Sequence, residues 1–176
     1  MVVRVSKGVP MPRRLLVLSL LTLLLLAPAS TAWARGDGWE PVNNQPFTVQ
    51  ACGTTVDVTF PMDKEYQKVT TDAEGNQHIK VTGALKVTLT DTATGRSVTY
   101  NISGPGTSIA YANGDFLFNA TGRNLLFLTP EQAAATGLPQ LFVTSGPISV
   151  LFRADGSVEV QRLGNHLQDI CAALTG

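Results

Sequence analysis

Ile79-Lys80-Val81-Thr82-Gly83-Ala84-Leu85-Lys86-Val87-Thr88-Leu89 is the stretch that decides the fold. Ile79, Val81, Leu85, Val87 and Leu89 share one face, with Gly83 among them. Lys80, Thr82, Ala84, Lys86 and Thr88 share the other. A ribbon that is oily on one side and wet on the other belongs to an antiparallel sheet packed on one face. At about 3.3 Å per residue the stretch spans roughly 35 Å. Strands of that length suit a coiled sheet or a barrel better than a small flat sheet.

Upstream, Phe47, Val49 and Ala51 alternate with polar residues, and Val56, Val58 and Phe60 alternate on the opposite parity. The change of parity at Cys52-Gly53 calls for a bulge or a tight bend. A Thr-rich strand over 66–71 is separated from the long one by the turn Asp72-Ala73-Glu74-Gly75-Asn76. Downstream, Asp91-Thr92-Ala93-Thr94-Gly95 leads into Val98, Tyr100 and Ile102, and Gly104-Pro105-Gly106 ends that strand. Asn113-Gly114 joins 107–112 to 115–120, and Asp155-Gly156 joins 148–152 to 158–160; both pairs tolerate the positive φ of a tight hairpin. Two helical pieces interrupt the pattern. Thr129-Pro130-Glu131-Gln132 carries an N-cap, a first-turn Pro and a first-turn acid. Asn165 to Leu174 places Leu167, Ile170, Cys171 and Leu174 on one helical face. The expected fold is therefore all-β: an antiparallel β-barrel or sandwich of about eight to ten strands with a short C-terminal helix.

The N-terminus reads differently. Arg13-Arg14 precede an apolar run from Leu15 to Ala27 broken only by Ser19 and Thr22, followed by Pro28, small residues and Ala32-Trp33-Ala34. This is the basic, apolar and small-residue order of an export signal, with cleavage expected after Ala34. The run is shorter than the roughly 20 residues that span a bilayer, so no membrane span is expected once the signal is removed. The twin arginines raise twin-arginine export, but Leu15-Leu16-Val17 fit that pattern poorly. The division is then 1–34 signal peptide, 35–46 flexible lead-in, and 47–176 one antiparallel β domain.

The 176 residues carry 13 basic and 13 acidic side chains. Removing Arg4, Lys7, Arg13 and Arg14 with the signal leaves nine against thirteen, a net of minus four. A mildly acidic chain with scattered charge is not a nucleic-acid binder. Export to an oxidising compartment changes the meaning of the two cysteines, Cys52 and Cys171. They allow one intramolecular bridge closing a loop of about 120 residues, which the chain-entropy description values at roughly 4–5 kcal/mol. No Cys-x-x-Cys spacing or basic neighbour marks a reactive thiol pair.

No catalytic, cofactor-binding or metal-ligating set emerges. His78 has the water-facing parity, and His166 with Asp169 reads as a helix-start pair rather than a base and its orienting acid. There is no Gly-x-Ser-x-Gly elbow around Ser103, Ser145 or Ser149. Two distant histidines and a bridged cysteine pair do not make a zinc site. Asp72-Ala73-Glu74-Gly75-Asn76 has oxygen ligands about a glycine, but reads as a hairpin turn rather than a calcium loop. Asp57, Asp63, Glu65 and Asp115 are acids of the right type for paired-carboxylate work without a spacing that brings them together. Asn101-Ile102-Ser103 and Asn119-Ala120-Thr121 match the N-glycosylation pattern. The stretches 124–128 and 141–143 are apolar on both parities, so each is buried on both faces or meets a partner or ligand.

The layout from Phe47-x-x-x-x-Cys52-Gly53 through Thr82-Gly83, Asn101-Ile102-Ser103-Gly104-Pro105-Gly106 and Thr121-Gly122-Arg123 to Leu163-Gly164-x-x-x-Asp169-Ile170-Cys171-x-x-Leu174 resembles small secreted β-rich proteins of actinobacteria. That resemblance implies export and supports a Cys52–Cys171 bridge; it implies no activity and no catalytic residues. A more distant likeness to lipocalin-type barrels rests on Gly38-Trp39, the strand number and the C-terminal helix, and is one of architecture alone. The functional expectation is a secreted, disulfide-stabilised β domain. It would bind a small apolar ligand inside the fold, or an extracellular or cell-envelope partner through an exposed apolar patch near 124–128 or 141–143. The alternative is an enzyme with a sparse site in a β-barrel pocket, using Tyr66, Tyr100, Arg123 or His166.

Overall fold

A computed structural model describes residues 2–3 and 38–175. All but two residues of the expected export signal, and the first three of the lead-in, lie outside the described residues. Two mostly antiparallel sheets dominate, one of nine strands and one of four, the smaller including one parallel pair. The larger does not close on itself, so the architecture is sandwich-like and the barrel alternative is set aside.

The strands are β1 (Val2–Val3), β2 (Glu40–Pro41), β3 (Phe47–Ala51), β4 (Thr54–Thr71), β5 (Gln77–Asp91), β6 (Ser97–Asn101), β7 (Gly106–Ala110), β8 (Phe116–Ala120) and β9 (Arg123–Phe127). After helix α1 (Pro130–Thr136) come β10 (Leu141–Ser145), β11 (Ile148–Phe152), β12 (Val158–Arg162), β13 (His166–Asp169) and helix α2 (Ile170–Thr175). The large sheet runs β12-β11-β8-β7-β5-β4-β2, with β3 added beside β4 and β6 beside β5. The small sheet runs β1-β9-β10-β13.

The long amphipathic stretch forms β5 and pairs along its length with β4. β4 is one 18-residue strand where two shorter ones were expected; its register shifts between Thr59 and Met62, around Pro61, and that irregularity absorbs the break in alternation. Gly83 sits opposite Glu65 with φ +133°. A Cβ there would lie 2.2 Å from the Lys64 carbonyl oxygen, so only glycine lets the two strands approach. On the far edge of β5, the first half pairs with β7 and the second with β6. Cys52 and Gly53 both take left-handed backbone, with φ 58° and 74°. They form the tight turn between β3 and β4 that the parity change called for.

Two apolar cores lie on opposite faces of the small sheet. Leu125, Leu141 and Val143 pack with Val56, Val58, Leu85, Val87, Leu89 and α2. Leu126, Leu128 and Phe142 pack instead with Phe118, Ile148, Val150, Phe152 and Ala133 of α1. Alternate side chains of β9 and β10 thus enter different cores. The small sheet is a middle layer flanked on both sides by parts of the large one. Double-sided apolarity at 124–128 and 141–143 is therefore core, and the exposed apolar patch expected there does not exist: Leu125, Leu126, Leu141, Phe142 and Val143 are all buried.

α1 begins as its sequence specifies. The Thr129 hydroxyl accepts from the Gln132 N–H, the Gln132 side chain accepts from the Thr129 N–H, and Gly137 ends the helix in left-handed geometry. The C-terminal helix is shorter than expected. Residues 166–169 form β13 on β10, and only 170–175 are helical. Leu167 joins the core beneath β11 and β12, whereas Ile170 and Leu174 enter the other. The apparent single stripe is a strand residue and helix residues facing opposite ways. The lead-in, expected to be flexible, is held over its described part. β2 pairs with β4, the Val42 N–H donates to the Glu65 carbonyl, and Asn44 donates to Asp63 and Glu65.

Candidate functional site

The Cys52–Cys171 disulfide forms across a sequence separation of 119. It ties the β3–β4 turn to α2, and the Cys52 N–H donates to the Gln140 side chain at 3.0 Å. Both cysteines pack against the core that holds Ile170 and Leu174. The bridge is part of the architecture of that core, with no free thiol beside it among the described residues.

Of the residues singled out for chemistry, Tyr100 meets Arg123 and Asp63 meets Glu65, but they do not gather in one site. The Arg123 guanidinium lies 5.8 Å from the centre of the Tyr100 ring, and the Tyr100 hydroxyl accepts from the Gln168 side chain at 3.1 Å. His166 is exposed at the start of β13, and Tyr66 lies on β4. None of these four lines either surface depression described below. Ser103 donates to Asn101 at 2.5 Å and accepts from the Leu85 N–H, which fixes the first glycosylation-type triplet to the sheet. Asp63 and Glu65 meet around Asn44, and Asp57 accepts from Thr48 at 2.8 Å. Asp115 accepts from the Ala154 N–H, linking two hairpin tips. Among the described residues no group of three or more His, Cys, Asp or Glu is placed to hold a metal ion, and no helix is long and apolar enough to cross a membrane.

Three carboxylates have depressed pKa values for local reasons; Asp155 is held low chiefly by its hydrogen bonds from Ser157 in the hairpin turn. Asp72 accepts from the His78 ring at 2.9 Å and from Asn76, which brings its pKa from 3.8 down to about 2. The same carboxylate also accepts from the Glu74 and Asn76 N–H groups, so the 72–76 segment closes as a turn. Asp91, buried at the end of β5, is lowered chiefly by the Thr54 hydroxyl at 2.6 Å and the Thr94 hydroxyl at 2.7 Å. It locks the 91–96 turn onto β4.

The feature that sequence inspection missed is on the outer face of the large sheet. Directly opposed residues of an antiparallel pair lie on the same face. Lys68 opposes Lys80, Lys80 opposes Thr107, Thr107 opposes Asn119, Asn119 opposes Ser149, and Ser149 opposes Arg162. One polar row therefore crosses six strands, with lysines at one end, arginine at the other, and hydroxyl and amide groups between. At about 4.8 Å per strand it spans roughly 24 Å. A depression of about 270 Å³ lies at the lysine end, lined by Trp39, Lys68, Thr70 and Lys80. A second, of about 400 Å³, lies at the arginine end, lined in part by Pro105, Thr107, Asn119, Pro147, Ser149 and Arg162. Lys64 and Lys86 share this face, opposite Ala84 and Met62. Of the acids on it, Asp57 is bonded to Thr48 and Glu159 is paired with Arg153. Even-parity Lys80 and Lys86 were visible in the sequence; the row needed the register of six strands.

Comparison with known proteins finds no matching family model, no matching curated protein and no matching solved structure.

Proposed function

We propose that this chain is an exported, non-enzymatic recognition domain that binds an extracellular or cell-envelope partner through the outer face of its large sheet. The observation that carries this reading is the row from Lys68 to Arg162, with a depression at each end. An antiparallel sheet can leave one face in water at no cost, and Lys68 set directly opposite Lys80 concentrates positive charge on that face. A binding surface supplies a reason for that pairing. The Cys52–Cys171 disulfide is compatible with life in an oxidising compartment.

The other reading, a small apolar ligand within the fold, requires an apolar cavity. Neither depression supports it: the one at the lysine end draws nothing from the two cores, and the other is open and floored only by Ala120 and Ile148.

The test uses steric blockade, which is indifferent to the partner's chemistry. Thr107 is exposed in mid-row, and a strand accepts an aromatic there without loss of fold. The mature protein is expected to co-sediment with isolated cell envelopes of the producing organism, and Thr107→Trp is expected not to. Equal retention of both proteins, or of neither, contradicts the proposal.

A further inference from the structure

We infer that the outer row takes a linear anionic polysaccharide, laid across the strands from Trp39 to Arg162. This inference rests on the recognition reading above and names the chemistry of its partner.

Four of the nine basic side chains in residues 35–176, Lys64, Lys68, Lys80 and Lys86, stand on one face of the β4–β5 ribbon, and Arg162 ends the row that begins there. Exported, the chain is net acidic, so this concentration of positive charge is local and faces one way. Charge complementarity selects an anionic partner. The middle of the row selects among anions. Thr107, Asn119 and Ser149 offer hydroxyl and amide groups but no charge over three consecutive strands. A partner crossing them carries its charges well apart and presents groups that both donate and accept between them. Charged sugars separated by hydroxyl-bearing rings meet that description. A nucleic acid, with a phosphate at every step, calls for a cation at every step.

The aromatic end agrees. Trp39 borders the depression that Lys68, Thr70 and Lys80 complete, which sets an amphipathic ring beside two cations. A sugar ring offers an apolar face to the indole and its acid group to the lysines. A bilayer surface is a poorer fit. Ile109, Leu117 and Leu151 lie beside the row on the same face but are half-buried, and the more exposed Val69 opposes Ile79 on the other face of the ribbon.

The experiment titrates the mature, disulfide-intact protein with hyaluronan, whose uronate rings alternate with neutral ones, and in parallel with neutral dextran, oligothymidylate and phosphatidylglycerol vesicles. Hyaluronan is expected to bind, with an affinity that falls as salt is raised, and dextran is not. Lys80→Gln combined with Arg162→Gln is expected to weaken binding by at least about tenfold, and Lys80→Arg to preserve it. All these positions are exposed, and circular dichroism with a thiol assay verifies that each variant keeps the fold. No binding of hyaluronan, or binding that ignores the double variant, overturns the inference. So does tighter binding of oligothymidylate or of vesicles. Because Thr107→Trp reports on the face regardless of charge, loss of envelope binding there with no response to hyaluronan discards the polysaccharide and keeps the recognition surface.

Discussion

Strands β9 and β10 and the ribbon β4–β5 are built from the same kind of backbone and do opposite jobs. In β9, Leu125 enters one core and Leu126 the other, so both faces are consumed by packing. In β5, Leu85, Val87 and Leu89 are fully buried, while Lys80 and Lys86 on the alternate face remain exposed. The middle layer spends its side chains on stability, and the outer wall keeps half of its own for the surroundings. Function is to be sought where the alternation is strict, and not where the sequence is greasiest.

The largest effect expected from breaking this arrangement concerns the staple on the Leu125 side. Reducing the Cys52–Cys171 bridge, or replacing both cysteines by alanine, is expected to lower unfolding free energy by about 4–5 kcal/mol. Denaturant melts of the oxidised and reduced protein measure it, and a loss below about 1 kcal/mol would mean that the bridge constrains little.

The next sharpens the contrast between layers. Leu126→Ala is expected to cost about 2–5 kcal/mol, because it opens a cavity in a filled core. Lys80→Gln on the outer face is expected to stay within about 0.5 kcal/mol. Paired denaturant curves decide it, and comparable losses at the two sites would erase the distinction.

The smallest effect lies in the β4–β5 turn. Asp72 titrates near 2 because His78 and Asn76 bond its charged form. A carboxylate with a depressed folded pKa stabilises the fold above its unfolded value, 3.8 here, and that stabilisation is lost as pH falls toward 2. His78→Ala is expected to move the Asp72 midpoint upward toward 3.8 and to shrink the stability lost across that window. A carbonyl-detected NMR titration reads the midpoint directly; an unchanged midpoint would remove His78 as the cause.

Much of the fold was legible because local chemistry and tertiary structure agree. The capping box at Thr129, the Asn113-Gly114 and Asp155-Gly156 hairpins and the strict alternation of β5 each specify their own geometry. The bridge followed from two cysteines in a chain whose N-terminus reads as an export signal. What was not legible depended on partners distant in sequence. Leu167, Ile170 and Leu174 keep helical spacing, yet β10 offers an open edge that recruits 166–169 as a strand. The lead-in is polar and still docks, because Asn44 finds Asp63 and Glu65 across the turn from β4. Double-sided apolarity in β9 and β10 favoured the core but left an interface open until the large sheet was seen to cover both faces. The candidate site was the least legible part. Thr107, Asn119 and Ser149 are unremarkable polar residues on three strands, and only the pairing register sets them in line.

The most direct measurement is an amide map of the labelled mature protein by NMR as solubilised envelope material of the producing organism is added. The account predicts shifts at Thr107, Asn119, Ser149 and Arg162 and in the neighbouring Lys68 and Lys80, with the resonances of Leu125, Leu126 and Val150 unmoved. Shifts centred on those core positions, with the outer row silent, would contradict it and return the interior-ligand reading to first place.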